Sequence, residues 1–316
     1  IGYSELFHRP FQSMVFHTEF VPAPDTYHGD IAQSCCQRSA GAMQCPDAEA
    51  ADGRRWSTEC RNTRDLVRDV ALRELDQRLQ RLGDRCAAVV VEPLVQGAAG
   101  LIVQPAGYLR GVADLCRKHG VLLIADEVAT GFGRTGALFA CEHENVEPDL
   151  MALGKGLTGG YLPLAATLCT DEIAASFEGE LHEFKTLYHG HTFTGNPLAC
   201  AVANASIDLF ADGRLLERIQ ALSVRLAEGL APLREGERYP FVADVRQYGL
   251  MCGMELAMPG SEAGGTWLAS SPPSHRGEPS AGDGGEQAAL NPASDAAPAD
   301  PHPSPLPQEE GAGGVG

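Results

Sequence analysis

The sequence predicts an α/β fold, a mostly parallel sheet flanked by helices. Three observations predict it. Short apolar runs alternate with stretches of helical periodicity, the pattern of βαβ units. Glycines punctuate the ends of those stretches, and acidic and basic residues follow directly on apolar runs, at the carboxyl ends of strands, where open α/β sheets bind ligands.

The elements follow in chain order. Leu72, Leu75, Leu79 and Leu82 step by three and four residues and mark an amphipathic helix that stops at Gly83. Ala87 to Val91 reads as a buried strand. Tyr108 to Lys118 reads as a helix with Leu109, Val112 and Cys116 on one face and Gly120 as its stop. Val121–Ala125, Leu150–Leu153 and Leu164–Cys169 read as further strands. Asn196-Pro197 opens another helix, because Asn caps free N–H groups and Pro fits the first turn. Leu215, Ile219, Leu222, Leu226 and Leu230 form a last helical stripe, expected to be core.

Composition narrows the function. The chain has 316 residues, 44% hydrophobic, enough for a sizeable core. With 24 basic against 42 acidic residues the net charge is −18, which repels nucleic acid and anionic membranes, so neither is an expected partner. No apolar run approaches the ~18 to 20 residues of a membrane span. Ile1 to Leu6 lack the basic and apolar regions of a signal peptide, and a cytoplasmic location is expected. Cys86, Cys116, Cys141, Cys169, Cys200 and Cys252 sit singly among apolar neighbours and read as buried thiols in a reducing compartment. Cys35, Cys36, Cys45 and Cys60 lie closer together but form no C-x2-C pair, so no metal is expected. Residues 259–316 hold 10 of the 21 prolines and 11 of the 36 glycines and read as a disordered tail.

Four stretches could carry chemistry. Asp126 and Glu127 end the run Val121–Ala125; a carboxylate there needs a cation or hydrogen bonds, or simply caps the next turn. Lys155 lies between Gly154 and Gly156, which let another group approach closely, and a desolvated lysine is a nucleophile for carbonyls. A phosphate loop of the G-x-x-x-x-G-K type fails there, because Asp149 stands where its first glycine belongs. Gly131 to Gly136 matches G-x-G-x-x-G but follows the strand at too great a distance for a dinucleotide fingerprint. His189 to Pro197 offers glycines and threonine hydroxyls suited to gripping a phosphate. A carboxylate, a lysine and a phosphate-gripping turn are together the three parts of a pyridoxal 5′-phosphate (PLP) site.

At these residues the sequence resembles the class III aminotransferases of PLP-dependent transferase fold type I. The resemblance rests on Glu92 to Gly100, Asp126 to Gly136, Leu153 to Gly160 and His189 to Asn196. It implies that Lys155 is the Schiff-base lysine, that Asp126 partners the ring nitrogen and that Val128 packs on the ring face. Thr192 would reach the phosphate of a cofactor held by the other subunit of a homodimer. It also implies small-molecule partners, an amino donor and a keto acceptor. Ala129 stands where most of the class has Gln. With Cys141-Glu142-His143 and Gly190 to Ala201, it resembles the branch that works in biotin synthesis, which implies conversion of 8-amino-7-oxononanoate to 7,8-diaminononanoate. Two alternatives remain beside it, an ω-aminotransferase acting on a diamine or 4-aminobutyrate, and a non-catalytic chain.

By the same resemblance, residues 1–212 correspond to part of the large PLP-binding domain and 213–258 to a connecting helix and the start of a small C-terminal domain. The family's Gly-Ser phosphate loop and aromatic-His pair precede the region matched, and its substrate-binding Arg follows it, so truncation at both ends is expected. Tyr27-His28-Gly29-Asp30 looks like the aromatic motif but falls out of order and is given no role.

Overall fold

The computed structural model describes residues 18–26, 58–234 and 238–256. In chain order the elements are α1 (Thr58–Leu82), β1 (Ala88–Val91), β2 (Val95–Gln96), β3 (Ile102–Val103), α2 (Tyr108–His119), β4 (Leu122–Asp126) and β5 (Leu150–Leu153). They continue with β6 (Ala166–Cys169), α3 (Asp171–Ala175), α4 (Pro197–Asp208), α5 (Arg214–Leu230), β7 (Val242–Tyr248) and β8 (Met251–Leu256).

The sheet that positions the site has the order β1-β4-β5-β6. β4 runs parallel to both β1 and β5, so three carboxyl ends emerge side by side. β6 is antiparallel to β5, unlike its predecessors. The reason is the connection: between Leu153 and Ala166 the chain makes only a 3-10 turn at Lys155–Thr158, and a link that short returns a strand antiparallel, whereas a parallel one needs a crossover.

One core sits between this sheet and the first two helices. Leu109, Val112 and Cys116 of α2 are at most 2% exposed and pack with Leu75 and Leu79 of α1 and with Val91, Leu123 and Ala125 of the sheet. Each of these buried leucines and valines contributes about 1.5–3 kcal/mol by leaving water. The ends of α2 are tied down chemically. Glu144 accepts the N–H groups of Gly107 and Arg110 at 2.7 Å, filling orphan donors of the first turn. Gly120 ends the helix at φ +65°, a left-handed conformation that glycine adopts without a Cβ penalty. From the last turn, Lys118 and His119 donate to Asp76 of α1 at 2.8 and 2.6 Å. His119 and then Lys118 hold the Asp76 carboxyl below the usual carboxylate range.

α4 begins as its sequence predicts, with the Asn196 side chain accepting from Leu198 N and Ala199 N at 3.0 and 3.2 Å. α5 departs from expectation. Of its apolar stripe only Ile219 is buried, and Leu222 is 40% exposed, because the described elements cover one narrow line of this helix. Four of the six thiols expected to be buried also differ: Cys116 and Cys141 are buried, whereas Cys86 and Cys200 are half-buried and Cys169 and Cys252 exposed. Tyr27 to Asp30, the cysteines at 35, 36 and 45, the side chain of Cys60 and residues 259–316 lie outside the described residues.

Candidate active site

The register of the sheet brings two of the predicted residues, Asp126 and Lys155, to one edge, with Glu92 beside them. Val91 of β1 lies opposite Ala125 of β4, so Glu92 leaves its strand beside Asp126. Asp126 in turn lies opposite Ala152 of β5, and Lys155 follows three residues later. Three remote stretches therefore deliver Glu92, Asp126 and Lys155 to one edge.

Asp126 is half-buried, and its Oδ1 accepts the N–H of Val128 at 3.1 Å. That bond fixes the carboxylate plane and leaves Oδ2 without a protein partner among the described residues. No cation lies within 4 Å of Asp126 among them, so the expected protein counter-charge is absent and the turn-capping bond is present. Glu127 points the other way. It is fully buried and accepts Cys141 N at 2.9 Å and the Thr130 hydroxyl at 2.5 Å, pinning the loop after β4. Burial, and then Glu127, pushes the Cys141 thiol up and keeps it protonated.

Lys155 is exposed and opens the 3-10 turn after Gly154 with φ +43°. A non-glycine residue in this region carries local strain of order 1–3 kcal/mol, and such residues cluster at working sites. The chain has three lysines. Lys118 pairs with Asp76 and Lys185 with Glu183. Lys155 alone has no carboxylate within 4 Å among the described residues. The next residue is glycine for want of space: a Cβ on Gly156 would lie 2.8 Å from the Cβ of Phe132, whose ring packs between Phe139 and Phe210.

Lys155 lines a cavity of about 320 Å³ with Val128, Ala129, Arg134, Leu101, Met251 and Cys252 among its walls. Val128 stands where the backbone of Gly154 approaches, its Cγ1 3.4 Å from where a Cβ of Gly154 would be. A second cavity, about 310 Å³, runs from Lys155 to Tyr161 and Pro163. Thr192 is elsewhere: it is exposed, in the turn held by the His191 N–H to Thr194 Oγ1 bond of 2.9 Å, and lines neither cavity. His189 and His191 are exposed as well, and no group of three His, Cys, Asp or Glu residues among those described could hold a metal ion.

Three features of the site were not read from the sequence. Glu92 is clipped by Gly97 N at 2.8 Å, and burial first, with Asp126 adding to it, pushes its carboxyl up. Its position at the end of an apolar run is the same signal that marks Asp126. Arg134 reaches the cavity from within the Gly131–Gly136 stretch, which forms a series of turns and opens no helix, so it lacks the geometry of a dinucleotide site. Met251 and Cys252 come from the β7–β8 hairpin, whose turn is tied in by Leu250 N to Arg134 O at 2.9 Å and by the buried Gln247, which donates to Ser223 O and Gly249 O. No local pattern announces that approach across more than a hundred residues.

Among the described residues no helix is long and apolar enough to cross a membrane. The aminotransferase class-III family pattern matches residues 3–269. The adenosylmethionine-8-amino-7-oxononanoate aminotransferase of Nitratidesulfovibrio vulgaris is 45% identical over 258 residues, 81% of this chain and 41% of the relative. The enzyme of the same name from Anoxybacillus flavithermus is 52% identical over 195 residues, 62% of this chain and 42% of the relative. Among solved structures, that of the same-named enzyme from Methanocaldococcus jannaschii superposes with a TM-score of 0.62 at 37% identity, covering 81% of this chain and 49% of the other. The chain spans about half the length of the curated relatives it matches. Its sheet edge, its lysine turn and a family match over most of its length agree: the chain belongs to the class III aminotransferases.

Proposed function

We propose that this chain carries the lysine-bearing part of a PLP site, in a protein that converts 8-amino-7-oxononanoate to 7,8-diaminononanoate for biotin synthesis. The observation that carries the reading is the sheet edge itself, where an unpaired lysine and a carboxylate with one uncommitted oxygen stand at adjacent strand ends, with Lys155 and Val128 lining a cavity there that Asp126 does not itself line. These residues fit the cofactor: Lys155 supplies an amine for its carbonyl, Asp126 Oδ2 an acceptor for a ring N–H, and Val128 an apolar wall. An amine transaminase from an uncultivated Pseudomonas species, 40% identical over 63% of this chain, was solved with PLP bound, which supports the same cofactor here. When bound, PLP supplies an electron sink through which an amino group passes from donor to keto acceptor.

The chain's own groups do the rest. Lys155 would hold the cofactor through its amine, and its Nζ, when free, would take and return a proton. The Asp126 carboxylate favours a protonated ring nitrogen by charge and hydrogen bonding. Thr192 lies outside the cavity and suits a phosphate presented by a second copy. The apolar side chains around it, Phe193 at 71% and Tyr188 at 74% exposed, support a homodimer. The six unpaired thiols among the described residues support a reducing, cytoplasmic setting. We assign 1–212 to the large domain and 213–258 to the connecting helix and the start of the small one.

The test is formation of 7,8-diaminononanoate by the PLP-loaded protein, with Lys155→Ala as the blank. Product formation lost in the variant supports the reading. Turnover of 4-aminobutyrate or a diamine in its place overturns the substrate assignment, and an unchanged rate in Lys155→Ala overturns the site.

A further inference from the structure

We infer that Glu92 is a positioning residue of this site: from the strand end beside Asp126, its charge deepens the negative potential that Asp126 offers to a cationic ring nitrogen. The inference rests on the PLP reading above.

Its basis is geometric. In parallel strands held in register, neighbouring residues point to the same face, and Glu92 follows Val91 as Asp126 follows Ala125. The side chain is not free to swing away. Gly97 N donates to Glu92 Oε2 at 2.8 Å, and the buried Gln104 clamps the backbone on either side of Pro93, donating to Glu92 O at 2.8 Å and accepting from Leu94 N at 3.0 Å. The charged groups that face Glu92 among the described residues are Asp126, from β4, and Lys155, from the turn after β5. Burial raises the Glu92 carboxyl above its ordinary value, the Gly97 N–H opposes this, Asp126 raises it further and Lys155 opposes again. A half-buried carboxylate held so firmly beside another of the same sign costs stability, and perturbed groups of this kind concentrate where charge is used.

The sign follows. Ionised Glu92 attracts a cation at the Asp126 position, and its protonation removes that attraction. Glu92→Gln keeps an acceptor for Gly97 N and deletes the charge alone; Glu92→Ala deletes both. The measurement is the PLP dissociation constant of the purified chain from pH 5 to 8.5, read by absorbance. The cofactor phosphate titrates near pH 6, so the ratio of variant to wild type is the quantity compared. The expected ratio for Glu92→Gln is about fivefold at pH 8, shrinking toward one as pH falls through the raised Glu92 value. Glu92→Ala weakens binding at every pH. A Glu92→Gln ratio of one throughout, or one that does not change with pH, overturns the inference while leaving the PLP reading intact. A wild-type chain that binds no PLP overturns that reading and this inference with it.

Discussion

The sheet edge around Asp126 and the segment from Leu181 to Leu198 both carry candidate site residues, yet their apolar side chains go to opposite places. Behind Asp126 and Lys155 the sheet and α2 close on themselves: Leu109 and Ala125 are fully buried, and Leu153 is 5% exposed. In the other segment Leu181, Phe184, Tyr188 and Phe193 are 84, 77, 74 and 71% exposed. Apolar area of that extent on one stretch is a cost that association removes. Lys155, Asp126 and Val128 thus stand on packed elements of this chain, whereas Thr192 lies in a segment whose apolar side chains are exposed among the described residues.

The comparison breaks first where packing is tightest. Leu109→Ala should lose about 2–5 kcal/mol in urea unfolding, since a fully buried leucine leaves a cavity, while Phe184→Ala stays within about 0.5 kcal/mol. Equal losses at the two positions would erase the distinction between the regions. Next, Gly156→Ala forces a Cβ to 2.8 Å from Phe132 and should cost about 1–3 kcal/mol, together with loss of the lysine turn seen as altered near-ultraviolet circular dichroism. A neutral variant would mean that Phe132 does not shape the turn. Smaller again, Thr192→Ala should weaken PLP binding about tenfold, the worth of one hydrogen bond to a charged group, and only at concentrations where sedimentation shows a dimer. A tenfold loss in the monomer would put Thr192 at its own chain's site. The smallest effect lies far from the edge. The folded state holds the Asp76 carboxyl below its unfolded value near 3.9, so its stabilisation is present above that pH and fades as pH falls through the folded value. Asp76→Asn should flatten this acid limb of thermal stability, and an unchanged limb would dismiss the Asp76–Lys118–His119 cluster as a clamp.

Much of the closed region was legible in the sequence because its signals are local. Leu109, Val112 and Cys116 repeat at helical spacing, Gly120 stops the helix, and the run Leu150–Leu153 coincides with β5. The Asn196-Pro197 start was legible for the same reason, a cap and a compatible first turn within two residues. What escaped depends on distance. The reversal of β6 is set by the length of a connection, not by any alternation within Ala166–Cys169. α5 repeats its leucines faithfully, but periodicity says which face is apolar and nothing about what covers it. Cys252 and Met251 look like ordinary strand residues until the hairpin folds them against Arg134. Glu92 carries the same end-of-strand signal as Asp126, and its clip to Gly97 becomes visible only once both backbones are placed.

The most direct measurement treats the chain with PLP, reduces it with borohydride and maps the phosphopyridoxyl group by peptide mass spectrometry. With only Lys118, Lys155 and Lys185 to choose from, the outcome is sharp. A stoichiometric adduct on the Lys155 peptide, lost in Lys155→Ala and diminished in Asp126→Asn, is the predicted result. An adduct on Lys118 or Lys185, or equal labelling of all three, would contradict the claim that the strand ends of β4 and β5 form the cofactor site.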